Sequence, residues 1–145
     1  RNLINMKQVQ YQFSIVTKGR GIYNISSQIE NWIHSQSIRS GLITLFIPHT
    51  SASLLIQENA DPDVLKDLNS FFNRLIPDGD PLYYHQAEGP DDMPAHIRSA
   101  LTQTQISIPV EENKMTLGIW QGIYLFEHRT SPHTRKVLIH LLGEY

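Results

Sequence analysis

Between Gly41 and Pro48 the chain reads Leu42-Ile43-Thr44-Leu45-Phe46-Ile47, apolar at both parities and closed off by a glycine and a proline. Such a run is expected as a central strand covered on both sides. The fold is therefore organised around a sheet. Val9 to Val16 sets Val9, Tyr11, Phe13 and Ile15 against Gln8, Gln10, Gln12 and Ser14, the period of a half-buried strand. The last third adds strands over Gln105 to Val110, Met115 to Leu117, Ile119 to Glu127 and Lys136 to Leu142, with turns at Glu112-Asn113 and Ser131-Pro132.

Three helices interrupt these strands. Ser27 and Glu30 have capping-box spacing, followed by Ile29, Trp32 and Ile33 on one stripe and an end near Ser37. Asp61 caps a second helix with Pro62 at its first position, and Val64, Leu65, Leu68, Phe71, Phe72 and Leu75 form its apolar face up to Pro77. Asp78 to Pro90 is a long loop around Leu82, Tyr83, Tyr84 and His85. The third helix begins at Asp91 or Asp92 and stacks Met93, Ile97, Ala100 and Leu101. Helices set into about seven strands, without regular βα alternation or a glycine-rich phosphate loop, make an α+β fold of mainly antiparallel sheet in one domain over 1–145.

Composition narrows the function. With 40 % hydrophobic and 18 % charged residues the chain is globular, and no apolar run approaches the roughly 18 residues of a membrane span. No leader-like start is visible, so a cytoplasmic address and no membrane partner are expected. A net charge of −2 lacks the positive field that nucleic acid requires. There is no cysteine, which removes thiolate metal sites and thiol nucleophiles. Any metal must be held by histidine and carboxylate.

Seven histidines are the feature that points to chemistry. His49 shares the parity of Ile43, Leu45 and Ile47 and follows the central strand directly, where a stiff element hands over to a turn. His85 lies in the long loop three residues before Glu88, and His96 follows Asp92 by one helical turn, placing a carboxylate where it can orient the imidazole. His34 and His140 have ordinary surface and sheet placements. His128 and His133 flank the last turn beside Arg129 and Arg135, which are either phosphate-holding forks or a solvated hairpin. Asp61 reads as a cap, Glu58 as a catalytic or metal-adjacent acid, and Trp120 as core or as a platform for a flat ring.

Four stretches carry a family likeness: His49-Thr50-Ser51-Ala52-Ser53-Leu54 running on to Glu58-Asn59-Ala60-Asp61-Pro62; Tyr84-His85 with Glu88; Asp91-Asp92-Met93-Pro94-Ala95-His96-Ile97; and Leu117-Gly118-Ile119-Trp120-Gln121-Gly122-Ile123. With the Lys18-Gly19-Arg20-Gly21 turn and Arg135, the chain resembles, along nearly its whole length, the YjbQ-like proteins, also called the secondary thiamine-phosphate synthase family. The resemblance implies an α+β fold assembled as a homotrimer and a divalent-metal site at His49, His85 and His96. It also implies an activity joining hydroxymethylpyrimidine diphosphate to thiazole phosphate with release of pyrophosphate. Ser51, Ser53, Asn59, Trp120, Gln121 and Arg135 are then the expected substrate contacts, with Glu58, Glu88 and Asp92 as catalytic acids. Ile119 departs from the family's usual threonine.

Three neutral imidazoles leave coordination positions open and favour zinc, with magnesium, the usual companion of a diphosphate, as the alternative. The cation and arginine donors would offset charge on the departing diphosphate. A metal-dependent hydrolase of a phosphate or ester, with Glu58 or Glu88 as base, uses the same residues; a non-catalytic trimeric binding protein is the third reading.

Overall fold

A computed structural model describes residues 5–145. In chain order the elements are β1 (Met6–Val16), β2 (Gly21–Asn24), α1 (Ser26–His34), β3 (Ser40–Phe46), β4 (Ala52–Glu58), α2 (Pro62–Leu75), α3 (Asp92–Leu101), β5 (Gln105–Glu111), β6 (Lys114–Met115), β7 (Gln121–Glu127) and β8 (Thr134–Glu144). They form a five-stranded sheet in the order β1-β8-β3-β5-β6 and a three-stranded sheet in the order β2-β7-β4, with antiparallel pairing throughout. The architecture is α+β, as the alternation and helix patterns predict.

The aliphatic core lies between the sheets. Ile43, Leu45, Ile108, Val137, Ile139 and Leu141 face Leu54, Ile123 and Leu125 across it, and Ile29 and Ile33 close one end from α1. Burying each such side chain is worth about 1.5–3 kcal/mol. Gly41 and Gly143 are register partners between β3 and β8, and a Cβ on either would meet the other strand's backbone, so both positions exclude a side chain. Glu112 and Asn113 both have positive φ, 49° and 64°, giving the primed turn that matches strand twist between β5 and β6.

Several expectations are corrected. β3 is central, but only Ile43 and Leu45 are covered; Leu42 and Phe46 keep 45 % and 44 % of their exposure on the sheet's outer face. The middle of that face carries Gln8, Gln10 and Gln12 from β1, Leu138, His140 and Leu142 from β8, and Leu42, Thr44 and Phe46 from β3, all uncharged, with Lys136 and Glu144 of β8 at its two ends. Ser27 and Glu30 make no capping box, because α1 starts at Ser26, whose N–H is taken by the Asn24 side chain. β4 escapes a reading by alternation because Ala52, Ser53 and Leu54 are buried in succession, Leu54 toward the other sheet and Ser53 toward α3. The buried residues of α3 are Asp92, Pro94, Ala95, Arg98 and Ser99, whereas Ala100 and Leu101 are exposed. Asp61 does cap α2, accepting the Asp63 N–H at 2.9 Å.

Candidate metal centre

Asp92 opens α3 and His96 follows one turn later, so both side chains lie on one flank of the helix. The 78–91 loop returns to this flank and delivers His85. The Asp92 Oδ2 atom is 2.5 Å from His85 Nε2 and 3.1 Å from His96 Nε2, and the two rings meet edge to face with centroids 5.5 Å apart. One ligating atom from each of His85, Asp92 and His96 lies within 4.8 Å of the other two. The tautomer of His96 follows from its other nitrogen: Nδ1 is 3.1 Å from the Thr50 carbonyl, which can only accept, so Nδ1 carries the hydrogen. With Nδ1–H so committed, Nε2 is the ring nitrogen that faces Asp92 Oδ2, the arrangement found in metal-ligating histidines. Two imidazoles and a carboxylate, converging and leaving coordination positions open, fit zinc or a similar divalent ion.

Arg129 holds this arrangement together. Its Nη1 donates to Asp92 Oδ1 at 2.7 Å, its Nε to Asp91 Oδ2 at 3.0 Å and its Nη2 to the Glu88 carbonyl at 3.0 Å. One guanidinium thus ties the end of β7 to the start of α3 and to the loop that bears His85, and leaves Oδ2 of Asp92 to the two imidazoles. Burial alone would raise the Asp92 pKa, but the His85 hydrogen bond and the Arg129 charge outweigh it and hold the carboxyl below its ordinary value. Asp91 is likewise driven down, to about 2, because the Thr130 N–H, Arg129 and the Thr130 hydroxyl together overcome its burial. The hydrogen bond to Asp92 raises the His85 pKa. Arg129 is absent from the expected site residues, although two adjacent acids at a helix start call for a cation.

The expected residues divide between two places. Glu88 is at the centre, its carboxylate 3.1 Å from His85 Nε2. His49 is a neighbour of His96 but stands outside the group of three, because its Nε2 accepts the Lys136 N–H at 2.9 Å. With Nε2 so used, the neutral ring carries its hydrogen on Nδ1 and offers no lone pair to an ion. Asp92, and not His49, completes the group of three. Ser51 and Arg135 are also close, Arg135 donating to the Ser51 carbonyl and hydroxyl and to Glu127. Ser53 is fully buried between His128 and Thr102 and has no face for a substrate.

Glu58, Asn59, Trp120 and Gln121 lie at the far end of β4 and β7, where Glu58 pairs with Gln121, while Thr50 and Ser51 precede the near end. β4 separates them by roughly 20 Å of extended chain. Glu58 accepts the N–H groups of Ala60 and Asp61, and Asn59 braces the 118–121 turn through the carbonyls of Ile119 and Gln121. Trp120 is 62 % exposed and Ile119 80 %, so the core reading of Trp120 fails.

His128 and the two arginines are not a solvated hairpin. His128 is fully buried, with Nε2 2.8 Å from the Ser53 hydroxyl, and burial, followed by Arg98, Arg20 and Arg135, lowers its pKa to about 3. Above about pH 6.5 neither the folded nor the unfolded chain protonates it. Between there and about pH 3 only the unfolded chain does, so stability should fall by about 1.4 kcal/mol per pH unit. Urea midpoints at pH 7, 5.5 and 4.5 should decline accordingly and flatten in His128→Gln; an equal slope in the variant would assign the effect elsewhere.

Comparison with known proteins agrees with this architecture. No helix among the described residues is long and apolar enough to cross a membrane. A crystallised YbjQ-like protein of unknown function from Sulfolobus solfataricus shares the fold, with a TM-score of 0.87 over 97 % of this chain and 100 % of that one at 20 % identity. A conserved hypothetical protein from Thermus thermophilus has a TM-score of 0.79 at 33 % identity, covering 89 % of this chain and 97 % of that one. A UPF0047 protein of Synechocystis is 50 % identical over 138 residues, 95 % of this chain and 94 % of that protein. The UPF0047 protein YjbQ of Escherichia coli O157:H7 is 39 % identical over 136 residues, 93 % and 98 % of the two chains. The family model described as UPF0047 protein YjbQ-like matches residues 11–144, and the chain belongs to that family.

Proposed function

We propose that the chain is a divalent-metal-dependent enzyme acting on a phosphorylated small molecule, with His85, Asp92 and His96 as the metal ligands and zinc as the favoured ion. The observation that carries this is the His96 ring, whose Nδ1–H is committed to the Thr50 carbonyl so that Nε2 is left for an ion beside Asp92. Within the family likeness, the reaction is the thiamine-phosphate synthase type: the carbon–oxygen bond of the pyrimidine diphosphate breaks, pyrophosphate departs with the electron pair, and the thiazole nitrogen bonds to the carbon. A bound cation would supply charge compensation for the departing diphosphate. Arg129 keeps Asp92 ionised and oriented, while Ser51 and Arg135 border the adjoining groove.

Hydrolysis is the second reading, favoured by Glu88, whose carboxylate stands beside His85 and remains 64 % exposed. It is placed to take a proton from an attacking water, a role Glu58 cannot share from the other end of β4. A homotrimer is the proposed assembly, supported by the uncharged middle of the outer face of β1, β8 and β3, with Lys136 and Glu144 only at its ends, since charge is depleted at the core of subunit interfaces.

Elemental analysis of protein purified without chelator should find about one divalent ion per chain, and a metal-free preparation that stays metal-free on titration with zinc would overturn the reading. Supplied with both precursors, the loaded protein should form thiamine phosphate and lose that activity in His96→Ala. Phosphate release without condensation would select the hydrolase.

A further inference from the structure

Removing His49 from the ligand set raises the question of what its ring does. His49 sits where the end of β3, the start of β4 and the start of β8 meet, and Lys136 at the β8 end holds it by the backbone N–H. A cavity of about 420 Å³ opens there over Phe46, Ile47 and Pro48, with Thr50, Ser51, Thr104 and Arg135 around it. A second cavity, of about 460 Å³, shares His49, Thr50 and Thr104 as walls and reaches His96. The two form one groove that runs from Arg135 to the candidate metal centre.

The walls of this groove are donors. His49 must present Nδ1–H, because its Nε2 already accepts. Arg135 uses Nε and Nη2 on Glu127 and Ser51, leaving Nη1 with no protein partner among the described residues. The Ser51 hydroxyl accepts from Arg135 and is free to donate onward. The groove has no carboxylate in its lining; Glu127 lies behind Arg135 and is fully buried. The charged side chains near enough to bias His49 are Arg135 and Lys136 against Glu127 alone, with His133 beside them. A neutral or cationic ligand would leave these N–H and O–H groups facing one another, whereas an oxyanion pairs them all.

We infer that His49 Nδ1–H, Arg135 Nη1 and the Ser51 hydroxyl form an oxyanion subsite that anchors a phosphoryl group of the substrate, leaving the reacting end of the molecule to extend toward His85, Asp92 and His96. The inference deepens the proposed function and borrows from it only the location of the reacting end. His49 acts as a fixed neutral donor, so its role belongs to the position of its hydrogen and not to metal coordination. It also gives Ser51 and Arg135, two of the six expected substrate contacts, a single task, phosphoryl capture.

The test uses the full chain kept metal-free with chelator, so that its outcome is independent of the metal reading. Nitrogen-15 spectra of the histidine rings should show His49 protonated at Nδ1 and bare at Nε2, and inorganic phosphate should shift that Nδ1–H resonance on titration. His49→Ala should weaken phosphate binding about tenfold, the loss of one hydrogen bond to a charged group. His49→Asn, whose amide nitrogen occupies the place of Nδ1, should recover most of it, a rescue that a merely structural role would not give. Thermal melts of both variants verify folding. His49 found bare at Nδ1, unchanged phosphate affinity in folded His49→Ala, or binding equally weak in Asn and Ala would each overturn the subsite. If zinc then fails to bind while phosphate still does, the metal reading falls and the subsite stands.

Discussion

Asp92→Ala should reduce zinc affinity by about 100-fold or more and abolish turnover, measured by competition with a chromogenic chelator and by product formation. Loss of a carboxylate that supports metal-bound imidazoles already costs about 10–100-fold, and here the carboxylate is itself a ligand. Its position explains the size of the effect. Oδ2 is the one atom shared by both imidazoles, while Oδ1 is held by Arg129. Asp92→Asn separates two contributions, since the amide oxygen can still accept from Arg129 while the negative charge at the ligand position is gone. It should fold like the parent and bind zinc nearly as poorly as the alanine variant. Parent-like zinc affinity in folded Asp92→Asn would remove the carboxylate from the ligand set.

Glu127→Ala should be the most destabilising single substitution near the centre. Glu127 is fully buried and accepts from Arg135, from the Thr17 hydroxyl and from the Arg129 N–H. Burial would raise its pKa, but Arg135 and Thr17 hold the carboxyl below the ordinary value, so it is ionised in the fold. Deleting it strands the Arg135 guanidinium, itself only 4 % exposed, without its counter-charge. Breaking one side of a buried pair costs about 3–5 kcal/mol. For a chain of this size that is a drop of roughly 10–15 °C in Tm. Replacing both partners by methionine should restore much of the loss, because a desolvated pair is worth little more than the apolar packing that can fill its space. A drop below about 1 kcal/mol in Glu127→Ala would show that solvent reaches Arg135 more freely than its burial implies.

Periodicity was a sufficient guide wherever one face is solvated. Val9 to Val16 alternates because β1 is a one-sided edge strand, and α2 is legible because Asp61, Pro62 and its apolar stripe agree. It was insufficient where burial has no single direction, as in β4, or where a helix buries polar groups, as α3 does with Asp92, Arg98 and Ser99. The same division runs through the candidate site. Asp92 and His96 are visible as an i,i+4 pair, and His85 as a histidine in a long loop. That His49 stands outside the group of three goes with a backbone N–H from Lys136, 87 positions away, and no residue pattern encodes which ring nitrogen will meet it. The separation of Trp120 and Gln121 from the histidines likewise became visible only once the register of β4 and β7 was known.

All three proposed ligands fall within residues 85 to 96, a stretch held by Arg129 to Glu88, Asp91 and Asp92, by Thr130 to Asp91 and by His96 to the Thr50 carbonyl. Detaching it would uncover Ala95 and the β4 edge around Ala52 but leave most of the aliphatic interior between the sheets in place, because none of His85, Asp92 or His96 belongs to that interior. Ion exchange would then be timed by partial opening of this one segment, far faster than whole-molecule denaturation, and hydrogen-exchange protection should fall first there.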